Sequence, residues 1–226
     1  MKSRMSKTGA VIVGAGSSQR MGRDKVFMPL AGKPLLAWSV DACQSCKLVD
    51  QIAIVLNETK LDLAHKLAAE RGWSKVLEIC AGGKRRQDSV RQGLNELEDC
   101  DWIIIHDAAR PFLTADLIRD GLEAAQTTGA AVAAVPIKDT VKLSSGDMIV
   151  SKTLNRQELW AVQTPQVFRF DIIAEAHEQI KDDVTDDASM VERLGRKVKL
   201  YMGTYGNIKI TTPEDLALAG LIAGKK

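Results

Sequence analysis

Ala10-Val-Ile-Val-Gly14-Ala-Gly16-Ser-Ser18-Gln-Arg20-Met-Gly22 decides the architecture, because an apolar run too short for a helix breaks directly into a glycine-rich turn. Four further short apolar runs follow at residues 52–56, 76–80, 102–106 and 131–135. Between them, residues 34–46, 61–71, 88–97 and 115–127 carry their apolar side chains at helical spacing. Uniformly apolar strands alternating with helices predict an α/β fold with a parallel sheet covered on both faces. Such sheets bind ligands beyond the carboxyl ends of their strands. What stands just after each strand therefore carries the functional reading. No internal repeat or low-complexity linker interrupts the pattern, and a single domain over residues 1–226 is expected.

Composition excludes several classes. Thirty-one basic and 29 acidic side chains leave a formal charge of +2, which gives no global case for nucleic acid or a membrane surface. No apolar run approaches the ~20 residues that a membrane-spanning helix needs. The basic first residues lead into a short strand instead of an apolar signal core, so a cytoplasmic location is expected. Cys43 and Cys46 have CxxC spacing, but no second such pair and no nearby histidine accompanies them. They read as thiols near a helix end. His65, His106 and His177 are scattered without zinc-ligand spacing.

The first glycine turn is neither of the commonest phosphate loops. Gln19 stands where the dinucleotide fingerprint has its third glycine, and no Gly-Lys-Ser/Thr follows. What remains is a turn containing Arg20, then Lys25, then Gly32-Lys33-Pro34 opening a helix. Cations in and just after a turn whose backbone can close on phosphate suit a triphosphate.

Further motifs give this turn a context. Gly82-Gly83-Lys-Arg-Arg86-Gln-Asp88-Ser89-Val90 follows one strand, and His106-Asp107-Ala-Ala-Arg110-Pro111 closes another. Asp139-Thr140, Asn155-Arg156, Gln163-Thr164-Pro165-Gln166, Thr185-Asp186-Asp-Ala-Ser189 and Asn207-Ile-Lys209-Ile-Thr211-Thr-Pro213 come next, in that order. In residue type and order the series resembles the 2-C-methyl-D-erythritol 4-phosphate cytidylyltransferase family, over about residues 10–219. One departure is the loop before Lys25, where only Arg23 and Asp24 follow Gly22.

The resemblance implies a mostly parallel, Rossmann-like nucleotidyltransferase sheet that joins CTP to a polyol phosphate and releases pyrophosphate. A phosphate monoester is already anionic near neutral pH, because its second pKa is about 6, so such a reaction needs no catalytic base. Its obstacle is converging negative charge, which calls for cations and a metal. Arg20 and Lys25 are then expected on the β- and γ-phosphates, and Lys209, at a strand end, on the α-phosphate. Asp107 ends the strongest apolar run, where it reads either as a ligand for Mg²⁺ or as a cap for the next turn.

Ala15, Gly16, Ser18, Gly83, Ser89 and Ala108 are implied in nucleotide binding, with Ser89 on the cytosine edge or ribose. Asp88 reads as an N-cap, and Lys84 and Arg85 as solvated charges. Arg110, Thr140, Arg156, Thr164, Thr185, Asp186 and Thr211 are implied around the polyol phosphate, where arginine's planar fork suits a phosphate group. For Thr185-Asp186 a helix cap remains the alternative, and Thr211-Thr212 reads mainly as a cap as well.

Residues 144–147, Ser-Ser-Gly-Asp, signal a turn between 141–143 and 148–150. The resemblance makes residues 137–156 a projecting hairpin arm that hooks over a second subunit. It thus implies a homodimer in which Thr140 and Arg156 serve the neighbour's site. Two other readings stand beside the principal one: a ribitol-5-phosphate cytidylyltransferase, and a non-catalytic nucleotide-sensing domain.

Overall fold

The opening run becomes β1 (Thr8–Gly14) in a computed structural model that describes residues 6–16 and 25–224. A short antiparallel pair, β2 (Pro29–Leu30) and β3 (Lys33–Pro34), leads into α1 (Leu35–Ser45). Then come β4 (Gln51–Leu56), α2 (Leu61–Arg71), β5 (Val76–Ala81), α3 (Arg86–Asn95), β6 (Trp102–Asp107), α4 (Ala115–Ala125) and β7 (Ala130–Pro136). The second half adds β8 (Lys142–Ser144), β9 (Val150–Thr153), β10 (Trp160–Arg169), α5 (Phe170–Gln179), α6 (Asp187–Arg193), β11 (Lys199–Met202) and α7 (Pro213–Ala223).

Seven strands form the main sheet in the order β11-β7-β10-β6-β1-β4-β5. β1 pairs in parallel with β4 and β6, β4 with β5, and β7 with β11. β10 lies antiparallel to both β6 and β7. The chain steps from β1 to one side for β4 and β5, and later to the other side for β6. Crevices open at such a reversal, beyond the carboxyl ends of the strands.

Both faces are covered, which explains why the central strands read as unbroken apolar runs. Ile12, Ile54, Leu56 and Ile104 pack with Leu36, Val40, Leu67 and Ile118 of α1, α2 and α4. Val11, Val55, Ile103 and Ile105 pack on the opposite face with Val90, Leu94, Ile173 and Met190 of α3, α5 and α6. Cys43 is fully buried on the first face, where burial pushes its thiol up to about 12. All four cysteines are free.

Local chemistry sets the helix ends. The left-handed Gly72 closes α2, and its N–H donates to the carbonyls of Ala68 and Ala69. At α7, Thr212 and Asp215 cap each other's backbone around Pro213 in the first turn. The expected N-cap at Asp88 is corrected: α3 starts two residues earlier, with Arg85 at the cap and Asp88 reaching back from the third helical position to Arg85 N–H. Arg85 is accordingly no merely solvated charge. It pairs with Asp88 and Asp183 and donates to the Lys181 carbonyl.

The hairpin arm forms a two-stranded sheet of its own, β8 with β9. Its second strand begins later than residue 148, because the turn is longer than expected. Ser145 N–H bonds the Ile149 carbonyl and Ile149 N–H bonds Asp147, so Met148 and Ile149 belong to the turn. β10 carries no simple strand signal, since Pro165 interrupts it and its register on β7 shifts between Val162 and Gln166.

α3 approaches the sheet at Gly93, where a β-carbon would stand 2.5 Å from Val11 Cγ1 and 2.8 Å from Val55 Cγ2. Both neighbours are short, stiff side chains on central strands. Alanine would favour the helix by about 1 kcal/mol, but overpacking a core contact costs about 1–3 kcal/mol. Gly93→Ala should therefore lower stability in urea unfolding. An unchanged or higher midpoint would show that α3 can lift off the sheet freely.

Candidate active site

β1 and β6 run side by side, with Val13 opposite Asp107, and both end at the crevice. Beyond β1 the chain turns through Ala15 and Gly16; beyond β5 it turns through Gly82 and Gly83. The two turns touch, since a β-carbon on Gly82 would overlap Ala15. Ser89 ties the second turn to α3: its hydroxyl accepts from Gly83 N–H at 3.1 Å and donates to the Arg85 carbonyl at 3.2 Å.

Asp107 is the electrostatic centre, with cations from three separate segments around it. Lys209 Nζ lies 2.7 Å from Oδ2, Arg86 Nε 3.4 Å from Oδ1, and Arg110 Nε 3.8 Å from Oδ2. Burial would raise the Asp107 carboxyl, but the charges of Arg86 and Lys209 overcome it and hold the group well below the usual carboxylate range. With Asp187 also paired to Arg86, three cations face two carboxylates, which leaves a net positive charge suited to anionic ligands.

A buried relay fixes the backbone beneath this centre. Asp107 N–H donates to Thr164 Oγ1 at 3.0 Å, and Thr164 Oγ1 lies 3.1 Å from His106 Nδ1. His106 Nε2 lies 3.0 Å from the Arg110 carbonyl, which can only accept. The proton therefore sits on Nε2, and Thr164 donates its own to Nδ1. Burial lowers the His106 pKa to about 4. Asn207 completes the floor, donating to the Thr164 carbonyl while its own carbonyl receives Arg110 Nη1.

Two cavities meet at this centre. The first, about 410 Å³, lies between the two glycine turns and is lined by Ala15, Gly16, Lys25, Gly83 and Ser89 among others. The second, about 430 Å³, lies toward β10 and α6 and is lined by Arg110, Gln163, Thr164, Thr185 and Asp186 among others. Arg86, Asp107 and Lys209 line both. Each volume falls within the roughly 300–1,000 Å³ of small-molecule sites. Two anions seated in the two cavities would face each other across one charged wall.

Residues 8–225 match the family model IspD, 2-C-methyl-D-erythritol 4-phosphate cytidylyltransferase. The chain belongs to this family. A protein of that name from Dehalococcoides mccartyi (strain CBDB1) is 53% identical over 220 residues, covering 97% of each chain. One from Alkaliphilus oremlandii (strain OhILAs) is 44% identical over 222 residues, covering 95% of this chain and 94% of the other. Among solved structures, the 4-diphosphocytidyl-2C-methyl-D-erythritol synthase of Anaerococcus prevotii DSM 20548 superposes with a TM-score of 0.87 at 31% identity, covering 97% and 96%. The cytidylyltransferase of Thermus thermophilus gives 0.77 at 32% identity, covering 95% and 98%.

The IspD motifs come together unevenly. Ala15, Gly16, Lys25, Gly83, Ser89, Asp107 and Lys209 line the first cavity, whereas Ser18 and Arg20 lie outside the described residues. Despite the shortened loop before it, Lys25 faces this cavity, with Nζ 3.1 Å from the Ile210 carbonyl. Ala108 requires correction: its side chain is wholly buried in the core, and Ala109 lines the cavity instead. Lys209 is not at a strand end. The chain leaves the sheet after Met202, and residues 208–211 are irregular, pinned by Ile210 N–H on the Ala109 carbonyl.

Arg110, Thr164, Thr185 and Asp186 line the second cavity, although the Thr164 hydroxyl proton is already given to His106. Asp186 takes the cap reading, accepting from Ser189 N–H at the start of α6, and its other oxygen accepts from Gln166 at 2.7 Å. Thr211 lines neither cavity. Its N–H and hydroxyl both donate to Asp215, which makes it part of the α7 cap. Thr140 and Arg156 stand exposed on the arm, away from both cavities of their own chain, with Arg156 donating to the Lys138 carbonyl.

Sequence reasoning missed Arg86 as a site residue, though the second glycine motif contains it. Three consecutive cations, Lys84-Arg85-Arg86, look alike in sequence, and only the start of α3 decides which one turns into the wall. His106 also went unassigned, because nothing in the sequence announces its partners.

A histidine held neutral in the fold makes stability depend on pH. Its folded pKa, near 4, lies below the ordinary value of about 6.5. The stabilisation is therefore full above pH 6.5 and is lost as pH falls from 6.5 toward 4. Linkage puts the loss between pH 7 and pH 5 at about 2 kcal/mol. Lowered carboxylates such as Asp107 lose their contribution only below this window. Urea unfolding at the two pH values should show the drop, and His106→Gln, which keeps a donor and an acceptor, should flatten it. An equally steep dependence in the variant would remove His106 as the cause.

Proposed function

We propose that this protein transfers the cytidylyl group of CTP to 2-C-methyl-D-erythritol 4-phosphate, giving CDP-methylerythritol and pyrophosphate in the non-mevalonate route to isoprenoids. The observation that carries the reading is the wall of Arg86, Asp107 and Lys209 shared by two cavities. A nucleotide in the first and a phosphate monoester in the second would bring the α-phosphorus and the attacking oxygen together at that wall. The oxygen bonds to phosphorus as the α–β bridging bond breaks, and pyrophosphate leaves with the electron pair. No proton need be removed, because the monoester is already anionic. This agrees with a His106 that is buried, neutral and turned to the backbone.

Lys25 accompanies the phosphates beyond the α position, and Lys209 and Arg86 supply charge where it accumulates. Lys209 would leave Asp107 for the α-phosphate as the ligands enter. Among the described residues, no group of three His, Cys, Asp or Glu side chains could hold a metal by itself. A lone carboxylate nevertheless fits Mg²⁺, which keeps several waters and takes one or two carboxylates plus substrate phosphates. Asp107 has about four lone-pair sites, of which Lys209 and Arg86 occupy two, so it is the residue that would hold the ion. Bound there, Mg²⁺ would offset charge on the triphosphate and the leaving pyrophosphate.

The family description and its relatives' names favour the methylerythritol substrate over ribitol 5-phosphate. A purely nucleotide-sensing role leaves the second cavity without a purpose. Our reading includes a homodimer. The arm exposes Leu143, Met148, Ile149 and Val150, and a two-stranded hairpin is marginal by itself. A second copy would cover it and receive Thr140 and Arg156 at its second cavity. Four free thiols fit a reducing compartment, and we place the protein in the cytoplasm.

With CTP and Mg²⁺, turnover is expected with 2-C-methyl-D-erythritol 4-phosphate and not with ribitol 5-phosphate; the reverse preference overturns the substrate assignment. Lys209→Ala should lower kcat by ~10²–10³ with a smaller change in KM for CTP. A near wild-type kcat would take Lys209 out of the reaction.

Mixing Lys209→Ala with Arg156→Ala tests the arm. In a mixed dimer, one site receives both substitutions and the other neither. Random exchange makes about half the dimers mixed, so activity should return to about a quarter of wild type. A mixture with demonstrated subunit exchange that stays as inactive as its parents rules out an Arg156 acting across the interface.

A further inference from the structure

Behind the active-site wall, Arg86 pairs with a carboxylate that lines neither cavity. Asp187, the first residue of α6, is completely buried, and its Oδ2 accepts from Arg86 Nη1 at 2.5 Å. Its other oxygen, Oδ1, faces His177 Nε2 of α5 at 3.3 Å, and that histidine is buried as well. The adjacent carboxylates of α6 thus point opposite ways, Asp186 toward the second cavity and Asp187 away from it onto Arg86.

Arg86 is held on two edges of its guanidinium. The Asp187 contact is short and buried, whereas the Asp107 contact, through Nε, is long at 3.4 Å. A buried carboxylate without a partner is costly, so the Asp187 pair resists opening, while the Asp107 contact can be exchanged for a ligand oxygen. Without Asp187, the guanidinium would be free to follow Asp107 and close around the carboxylate at the shared wall.

We propose that Asp187 is a positioning residue for the transfer reaction, anchoring Arg86 from behind so that its guanidinium stays at the junction of the two cavities when Asp107 and Lys209 turn to the ligands. His177 flanks Asp187 on the far side, 3.3 Å from Oδ1 but without a hydrogen bond to it, so Arg86 is the partner that holds the carboxylate. The inference rests on the proposed cytidylyl transfer for its kinetic consequence, but its structural content, a fixed Arg86, can be read without turnover.

The test compares wild type, Asp187→Asn, Arg86→Ala and the double variant, each checked for folding by its thermal midpoint. Asp187→Asn should lower kcat about 10–100-fold with less than about a threefold change in KM for CTP. In the Arg86→Ala background the same substitution should leave kcat within about twofold, because the group it positions is gone. Added guanidinium ion at millimolar concentration should partly restore Arg86→Ala, and fail to restore the double variant. If Asp187→Asn fails to fold alone, the double variant, in which no charge is left unpaired at this pair, carries the comparison through guanidinium rescue.

Independently of turnover, the Arg86 Nε–H resonance, identified by its absence in Arg86→Ala, should be sharp in wild type. In Asp187→Asn, or in His177→Leu as a second route to loosening the pair, it should broaden. Equal kinetic losses from Asp187→Asn in both backgrounds, equal guanidinium rescue, or an unchanged resonance would overturn the proposal and leave Asp187 a folding residue only. A wild type without cytidylyl transfer but with the expected resonances would sink the proposed function and leave the positioning intact.

Discussion

One buried carboxylate organises the site. Asp107 ends β6 with its backbone held by Thr164 and its side chain faced by Lys209, Arg86 and Arg110. A charge at that depth is tolerable only when it is paired, so its burial draws cations from the start of α3, the turn after β6 and the irregular segment before α7. Packing brings those segments together as well, α3 lying on the sheet through Val90 and Leu94, and Ile210 being buried beside Phe112 with its N–H on the Ala109 carbonyl. Once they do, each carries a cation to the mouth of the crevice, and the positive excess left over is the feature a nucleoside triphosphate and a phosphate monoester would recognise.

The antiparallel β10 makes this possible. It separates β6 from β7, and its irregularity between Val162 and Gln166 places Gln163 and Thr164 beside the end of β6. The Thr164 hydroxyl then links Asp107 N–H to His106, and the Thr164 carbonyl receives Asn207. A regular strand there would have satisfied its own ladder and offered nothing to the site. The polar residues in β10 that blur its sequence pattern are those that brace the active centre.

Dividing the crevice into two cavities with one charged wall also suits the proposed reaction, which asks for no general base. Where the attacking group is already an anion, the protein's contribution is to hold like charges together, and fixed cations in a partly buried setting do this better than mobile ions in water. The ion pairs around Arg86 extend that logic one layer deeper, into residues that no ligand touches.

The sequence by itself determined the alternation of five apolar strands with helices, both faces of the sheet being covered, and the position of the glycine turns. These depend on local periodicity and on glycine and proline, which act over a few residues. Motif order was also enough to place Lys25, Gly83, Asp107, Arg110 and Lys209 in one site. The tertiary structure alone decided the rest. Arg86 could not be told from Lys84 and Arg85, because all three are cations and only the first turn of α3 aims one of them inward. Ala108 and Ala109 are identical in type, and only the geometry after β6 sends the first to the core and the second to the cavity. The cap that Thr211 makes on Asp215 is local and legible, whereas only packing gives the Thr164 hydroxyl to His106, 58 positions away in the chain. Polar side chains acquire their roles from partners distant in sequence, and those partners are set by packing, not by any local pattern.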